Sequence, residues 1–209
     1  MLTLYYARGT CALASHIALE HSGAEYQAVR VDFAQNQQCS PDYLRLNPKG
    51  RVPTLVTPRG NLTETPAILL FVCQTFPQAA LAPLDDPFEL ARMNAFNSYL
   101  CSTVHVAHAH GARAGRWADD PAAVADMKKK VPQNMAACFE LIEREFLQGP
   151  WVLGEKYSVS DMYLFTLAQW LERDGVDIKR FPKVAQHSLQ MARDPVVARV
   201  LLAEQSAAY

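Results

Sequence analysis

Leu2-Thr3-Leu4-Tyr5-Tyr6-Ala7-Arg8-Gly9-Thr10-Cys11-Ala12-Leu13 is the stretch from which the rest of the chain can be organised. Leu2 and Leu4, with Tyr5 and Tyr6, make a short buried-strand pattern, and Arg8-Gly9-Thr10 breaks it. From Cys11 to Glu20 the apolar spacing turns helical, with Leu13, Ile17 and the small Ala14 and Ala18 available for packing. The Cys11 thiol therefore falls where a strand becomes a helix. A helix N-terminus offers unpaired N–H groups and the positive end of a dipole, and both favour a thiolate or a bound thiolate ligand. The chemistry is expected here; the alternative is an inert cysteine in a small core.

Working outward, Tyr26-Gln27-Ala28-Val29-Arg30-Val31 alternates as a second strand. Pro41 to Leu46 reads as a short helix and Arg51 to Thr57 as a third strand. Gly60-Asn61-Leu62-Thr63 closes a hairpin into a fourth. Pro66 to Thr75 is a last helix, with proline in a first turn that needs no N–H. The order βαβαββα predicts a small sheet covered by helices. A proline-rich linker follows, from Phe76-Pro77 through Pro83-Leu84-Asp85-Asp86-Pro87, and beyond it the strand signals vanish. Helices are predicted from Phe88 to Arg116, Pro121 to Leu147, Ser158 to Asp174, Val184 to Met191 and Pro195 to Ala203, as in a helical bundle. The expected organisation is an α/β domain over 1–78, a linker over 79–87 and an all-α domain over 88–209.

Composition narrows the partners. The chain has 209 residues, and its 20 Lys and Arg nearly balance 21 Asp and Glu. A net charge of −1 leaves no global field to draw in nucleic acid or anionic lipid. The basic run Lys128-Lys129-Lys130 is read as a solvated helix face. No apolar stretch approaches the roughly 20 residues of a membrane span. Met1-Leu2-Thr3 runs directly into the first strand, so no secretory leader is expected. Five cysteines without a CxxC pair argue against a disulfide framework and a zinc site. A reducing cytoplasm is the expected setting.

Four further segments bear on chemistry. In Gly50-Arg51-Val52-Pro53-Thr54-Leu55, proline cannot donate to a ladder, so it lies on an edge, at a strand start or in a cis turn. An edge at Val52 would free its backbone to pair with an extended peptide; a kinked edge strand is the bland reading. At Thr63-Glu64-Thr65-Pro66, a turn meets a helix N-terminus. That nest can hold a carboxylate through N–H groups and an ammonium through Glu64, as an amino-acid zwitterion requires. Taken alone, Thr65 as a helix cap is favoured. In Val104-His105-Val106-Ala107-His108-Ala109-His110, His105 and His108 share a face, but His110 lies about 140° from His105. One helix cannot aim all three at one metal, so no metal is expected. Ser158-Val159-Ser160-Asp161 reads as a capping box, hence structural.

Taken in order, these segments resemble the glutathione transferase family, and within it the cysteine-containing bacterial (beta-like) class. The resemblance runs from Leu4 to about Asp194. It is carried by Tyr5-Tyr6…Gly9-Thr10-Cys11-Ala12-Leu13, Asn47-Pro48-Lys49-Gly50-Arg51-Val52-Pro53, Leu62-Thr63-Glu64 and Val104-His105. It implies a thioredoxin-like N-terminal domain that binds glutathione, followed by an all-helical domain that shapes a pocket for a small hydrophobic electrophile. Members are usually homodimers. Carried over by position, Val52 binds the cysteinyl moiety through its backbone with Pro53 cis, and Glu64 and Thr65 hold the γ-glutamyl end. Tyr6 is carried with these as a glutathione-side residue. Cys11 or Thr10 lies beside the glutathione sulfur, and His105 approaches it. Arg8 stands where relatives often carry proline, and Phe96-Asn97-Ser98 replaces a commoner Trp-Leu-Asn.

The expected reaction is attack by the glutathione thiolate on an electrophilic carbon, a detoxifying conjugation. Lowering the thiol pKa by one unit takes about 1.4 kcal/mol, within the reach of one or two donors. Two other functions remain open at this point. One is a glutathione-dependent thiol reductase or peroxidase using Cys11 in a mixed disulfide. The other is a non-catalytic glutathione-binding module on the same fold.

Overall fold

A computed structural model describes residues 1–206 of the chain. Its contacts divide the protein into two compact units, Met1–Leu90 together with the chain from Met191 onward, and Ala91–Gln190. No helix among the described residues is long and apolar enough to cross a membrane.

The first unit is built on a four-stranded mixed sheet in the order β2-β1-β3-β4. β1 (Leu2–Tyr6) and β2 (Tyr26–Arg30) are parallel, with Leu4 opposite Ala28. β3 (Thr54–Thr57) runs antiparallel to β1, pairing Leu55 with Leu4, and β4 (Gly60–Thr63) returns antiparallel to β3. A parallel β1–β2 pair needs a crossover, and α1 (Ala12–Ser22) supplies it. Ala12, Ala14 and Ala18 are fully buried, so small side chains let neighbouring elements close on several faces of α1. Gly23 ends the helix in the left-handed region, at φ 70°, where glycine carries no Cβ penalty. α2 (Pro41–Leu46) and α3 (Thr65–Thr75) complete the βαβαββα order, the thioredoxin-like arrangement expected from the sequence. α3 buries Ile68, Leu69, Val72 and Cys73, a stripe at helical spacing.

The last helix, α9 (Pro195–Ser206), packs on α1 within this unit. Three polar pairs join them. His16 Nδ1 lies 2.9 Å from Glu204 Oε1 with both side chains buried. Arg199 pairs with Glu20 at 3.3 Å, and His21 Nε2 lies 3.3 Å from Asp194, which precedes α9. Burial holds the His21 imidazole below its ordinary pKa, against the opposing pull of Asp194. A histidine that resists protonation when folded favours the unfolded chain in acid. Stability present at neutral pH is therefore lost as pH falls below about 6.5 toward the depressed folded value. His21→Gln is expected to flatten that part of the acid limb in urea midpoints measured against pH; an unchanged limb would refute the assignment.

The second unit is helical, with α4 (Pro87–Tyr99) entering it from the first. The sequence predicted one helix over 88–116. Instead α4 passes through a π turn, Leu100–Val104, into α5 (His105–Ala112) and then a 3₁₀ turn, Ala114–Arg116. α6 (Pro121–Leu141) likewise ends in a π turn, Ile142–Phe146. The two widened turns lie at one aromatic cluster, with Phe146 5.1 Å from Phe96 and 5.4 Å from Tyr99. α7 (Val159–Ala168) is buried along its whole length and starts at the predicted capping box, Ser158 with Asp161. It stops six residues before the expected Asp174. Gly175 at φ 76° and the bond from Val176 N–H to the Leu171 carbonyl close the chain into a left-handed terminus. α8 (Pro182–Arg193) follows, its first N–H groups at Lys183 and Val184 accepted by Glu143.

Candidate functional site

Gly9, at φ 70°, turns the chain from β1 into α1. Thr10 Oγ1 donates to the Ala7 carbonyl at 2.6 Å and accepts from Ala12 N–H at 3.3 Å. The single Thr10 proton is thus held inside the turn. Cys11 occupies the N-cap position of α1, is 7% exposed, and points its sulfur at the Val52 carbonyl, 3.6 Å away. The fold therefore brings together two residues that the sequence separates by 41 positions. Burial pushes the Cys73 thiol up to about 12 and raises that of Cys138, so these two stay protonated in the core.

The Val52–Pro53 peptide is cis. The third strand, predicted from Arg51, begins at Thr54 and lies between β1 and β4, so Pro53 precedes an interior strand and the edge-strand reading is corrected. Val52 itself remains outside the ladder. The loop leading to it is anchored by a buried network that the sequence did not announce. Tyr43 OH and Asn47 Nδ2 both donate to the Arg51 carbonyl at 2.7 Å. Asn47 Nδ2 also reaches Thr54 Oγ1 at 3.1 Å, and its Oδ1 accepts from Lys49 N–H at 3.1 Å. An asparagine before Pro-x-Gly is a local turn signal; nothing local marks Tyr43.

Glu64 sits at the N-cap of α3 with φ 70° and ψ 119°, a conformation uncommon for a residue with a Cβ and concentrated at functional sites. Thr65 is the first residue of the helix and is buried, so it does not cap α3 as the local sequence favoured. Lys49 Nζ bridges Glu64 Oε1 and Thr63 Oγ1, each at 2.6 Å. This ties the Asn47 loop to the start of α3. Tyr6, expected on the glutathione side, is 2% exposed and packs 5.1 Å from the His16 ring.

In the second unit His105 follows the π turn directly, a feature often found at functional positions. Its ring meets Trp170 edge-on at 5.0 Å and lies 6.5 Å from His108. His110 turns elsewhere, stacking on Trp117 at 4.2 Å with Nδ1 2.7 Å from the Val106 carbonyl. The separation of His110 from the other two follows the helical angle read from the sequence.

Comparison with known proteins accords with this architecture. Residues 1–74 match the model for the glutathione S-transferase N-terminal domain, and residues 111–189 the model for the C-terminal domain. Glutathione S-transferase GstA of Escherichia coli O157:H7 is 28% identical, over 97% of this chain and 98% of its own. A crystal structure of a glutathione transferase homologue from Sulfitobacter, with bound glutathione, is 47% identical with a TM-score of 0.93, covering 96% of each chain. A bacterial beta-class enzyme from Sphingomonas chungbukensis is 32% identical with a TM-score of 0.86, over 98% of this chain and 100% of its own. Domain matches in the expected order, on a fold that superposes nearly end to end, place the chain in the glutathione S-transferase family.

Proposed function

We propose that this protein binds glutathione in its first unit and transfers it to small hydrophobic electrophiles. The observation that carries the reading is the Cys11 sulfur at the N-terminus of α1, 3.6 Å from the carbonyl of Val52. Glutathione laid along Val52 as a short extra strand puts its own cysteinyl sulfur beside Cys11. Glu64 takes the ammonium of the γ-glutamyl end, with Lys49 yielding part of its hold on the carboxylate, and the first N–H groups of α3 at Thr65 take the adjoining carboxylate.

The Cys11 S–H, turned from the Val52 carbonyl as glutathione pairs with that residue, and the dipole of α1 then stabilise the glutathione thiolate more strongly than the thiol. Thr10 shapes the turn, because donating to the sulfur would cost its bond to Ala7. The thiolate attacks the electrophilic carbon of the second substrate, forming the C–S bond as the leaving group departs with its electron pair. Family membership supports a homodimer. The five cysteines are all thiols, which suits a reducing cytoplasm.

Cys11→Ala tests this reading. Loss of one donor to the thiolate is expected to lower conjugation about tenfold or less, while abolishing any glutathione-dependent disulfide reduction. Complete loss of conjugation would assign Cys11 a covalent role instead. Failure of the wild-type protein to bind immobilised glutathione would favour a non-catalytic role.

A further inference from the structure

Glu64 already meets an ammonium, and it is the protein's own. Lys49 Nζ lies 2.6 Å from Glu64 Oε1 and 2.6 Å from Thr63 Oγ1, all within the first unit. A lysine head carries three N–H donors and a full positive charge, as does the α-ammonium of an amino acid. Both ends of the contact are fixed. The Lys49 backbone is set in the Asn47-Pro48-Lys49-Gly50 turn, where Asn47 Oδ1 accepts its N–H at 3.1 Å and Gly50 turns at φ 60°. Asn61 Nδ2 donates to the Leu46 carbonyl at 3.0 Å, which ties β4 to the end of α2 just before that turn. Glu64 is held at φ 70°, its carbonyl accepting from Ile68 N–H at 3.0 Å. The lysine thus reaches the carboxylate from one ordered turn to another.

A carboxylate has about four lone-pair sites, so Glu64 has room for a second ammonium beside Lys49. Among the described residues its Oε2 accepts no bond. Two cations on one carboxylate then stand close together and repel. The Lys49 and Glu64 side chains are 43% and 56% exposed, so water screens that repulsion. Two unit charges about 4 Å apart in water are worth about fivefold in a binding constant. The effect is modest, but it acts on one group of the ligand and leaves the rest alone.

We propose that Lys49 is a specificity-determining residue of the glutathione subsite, an internal ammonium that competes with the α-ammonium of the γ-glutamyl group for Glu64. By supplying that charge itself, the protein lessens what a ligand gains from its own. The thiols admitted then extend to glutathione-like peptides whose amino group is absent or uncharged, which bind with the Lys49–Glu64 pair left whole. This rests on the reading above that Glu64 takes the γ-glutamyl ammonium.

The test is a titration of the intact protein, by calorimetry, with glutathione and with N-glutaryl-cysteinylglycine. The second compound has the same skeleton with hydrogen in place of the ammonium, and both carboxylates are kept. The preference for glutathione, taken as the ratio of the two Kd values, is expected to rise about fivefold in Lys49→Met. Lys49→Arg keeps the charge and should leave the preference near that of the wild type. A displaced turn weakens both compounds alike and cancels in the ratio, and unfolded protein alters only the stoichiometry. Adding Glu64→Gln to Lys49→Met should remove the gain. A preference unchanged or lowered in Lys49→Met, or raised equally in Lys49→Arg, would overturn the proposal and leave glutathione binding intact. A gain that survives Glu64→Gln would place the ammonium elsewhere and overturn it too. No binding of glutathione by the wild type would overturn this proposal and the transferase reading together.

Discussion

Asp161→Ala is expected to lower the stability of the protein by about 3–5 kcal/mol, a large share of the roughly 5–15 kcal/mol that keeps a protein folded. The side chain is fully buried and its two oxygens accept four bonds. One oxygen takes the Val152 N–H at 2.8 Å and His187 Nε2 at 3.1 Å. The other takes the Ser158 N–H at 2.8 Å and the Ser158 hydroxyl at 3.1 Å. Alanine would strand all four donors away from water, and a donor left unmet costs more than its bond contributed. Ser158→Ala removes one capping hydroxyl and is expected to cost only about 1 kcal/mol. Urea denaturation followed by circular dichroism measures both. Near-equal losses for the two variants would mean that Asp161 acts merely as a helix cap and not as the junction of three chain segments.

The second large effect is expected at Asn47. Asn47→Ala removes both donors to the Arg51 carbonyl and Thr54 and the acceptor for Lys49 N–H, at a site with no solvent exposure. Its stability cost should be about 2–4 kcal/mol. Its effect on ligand is more telling, because the same side chain holds the peptide leading into Val52 and the turn carrying Lys49, the partner of Glu64. Glutathione is expected to bind at least tenfold more weakly by calorimetric titration, normalised to folded protein. Unchanged affinity in the folded fraction would show that Val52 and Glu64 are placed without this network. Tyr43→Phe, which leaves the Asn47 amide donating to the Arg51 carbonyl, should fall between the variant and the wild type.

What the sequence disclosed follows from how local each signal is. The strand–turn–helix at Cys11, the short helix from Pro41 and the hairpin at Gly60 depend on spacing and turn residues within a few positions, and they stand where they were expected. The capping box was equally local, although its further partners Val152 and His187 were not. Errors arose where apolar spacing persisted after the backbone changed. Arg51-Val52 continues a strand pattern but precedes the ladder, and Leu171 keeps the α7 stripe inside a closing turn. The π turn at Leu100 left no mark on the spacing at all. Polar pairs across the fold were the least visible: His16 meets Glu204 over 188 positions, and His108 meets Asp174 over 66. A histidine on a helix predicts no particular carboxylate until the helices have been packed. For the candidate site, the resemblance supplied the residues and the structure supplied the supports beneath them, chiefly Tyr43, Asn47 and Lys49.

The packing of α9 on α1 bears on the order in which the protein can be made. A ribosome releases the sheet, α1 and α3 first, but the face of α1 that carries His16 has its carboxylate partner at Glu204. Until that segment emerges, His16 and the apolar surface around it have no native cover. The unit holding Cys11 is thus begun first and finished last. A nascent chain stalled before Pro195 should expose α1 to chaperones, even with the helical unit already complete.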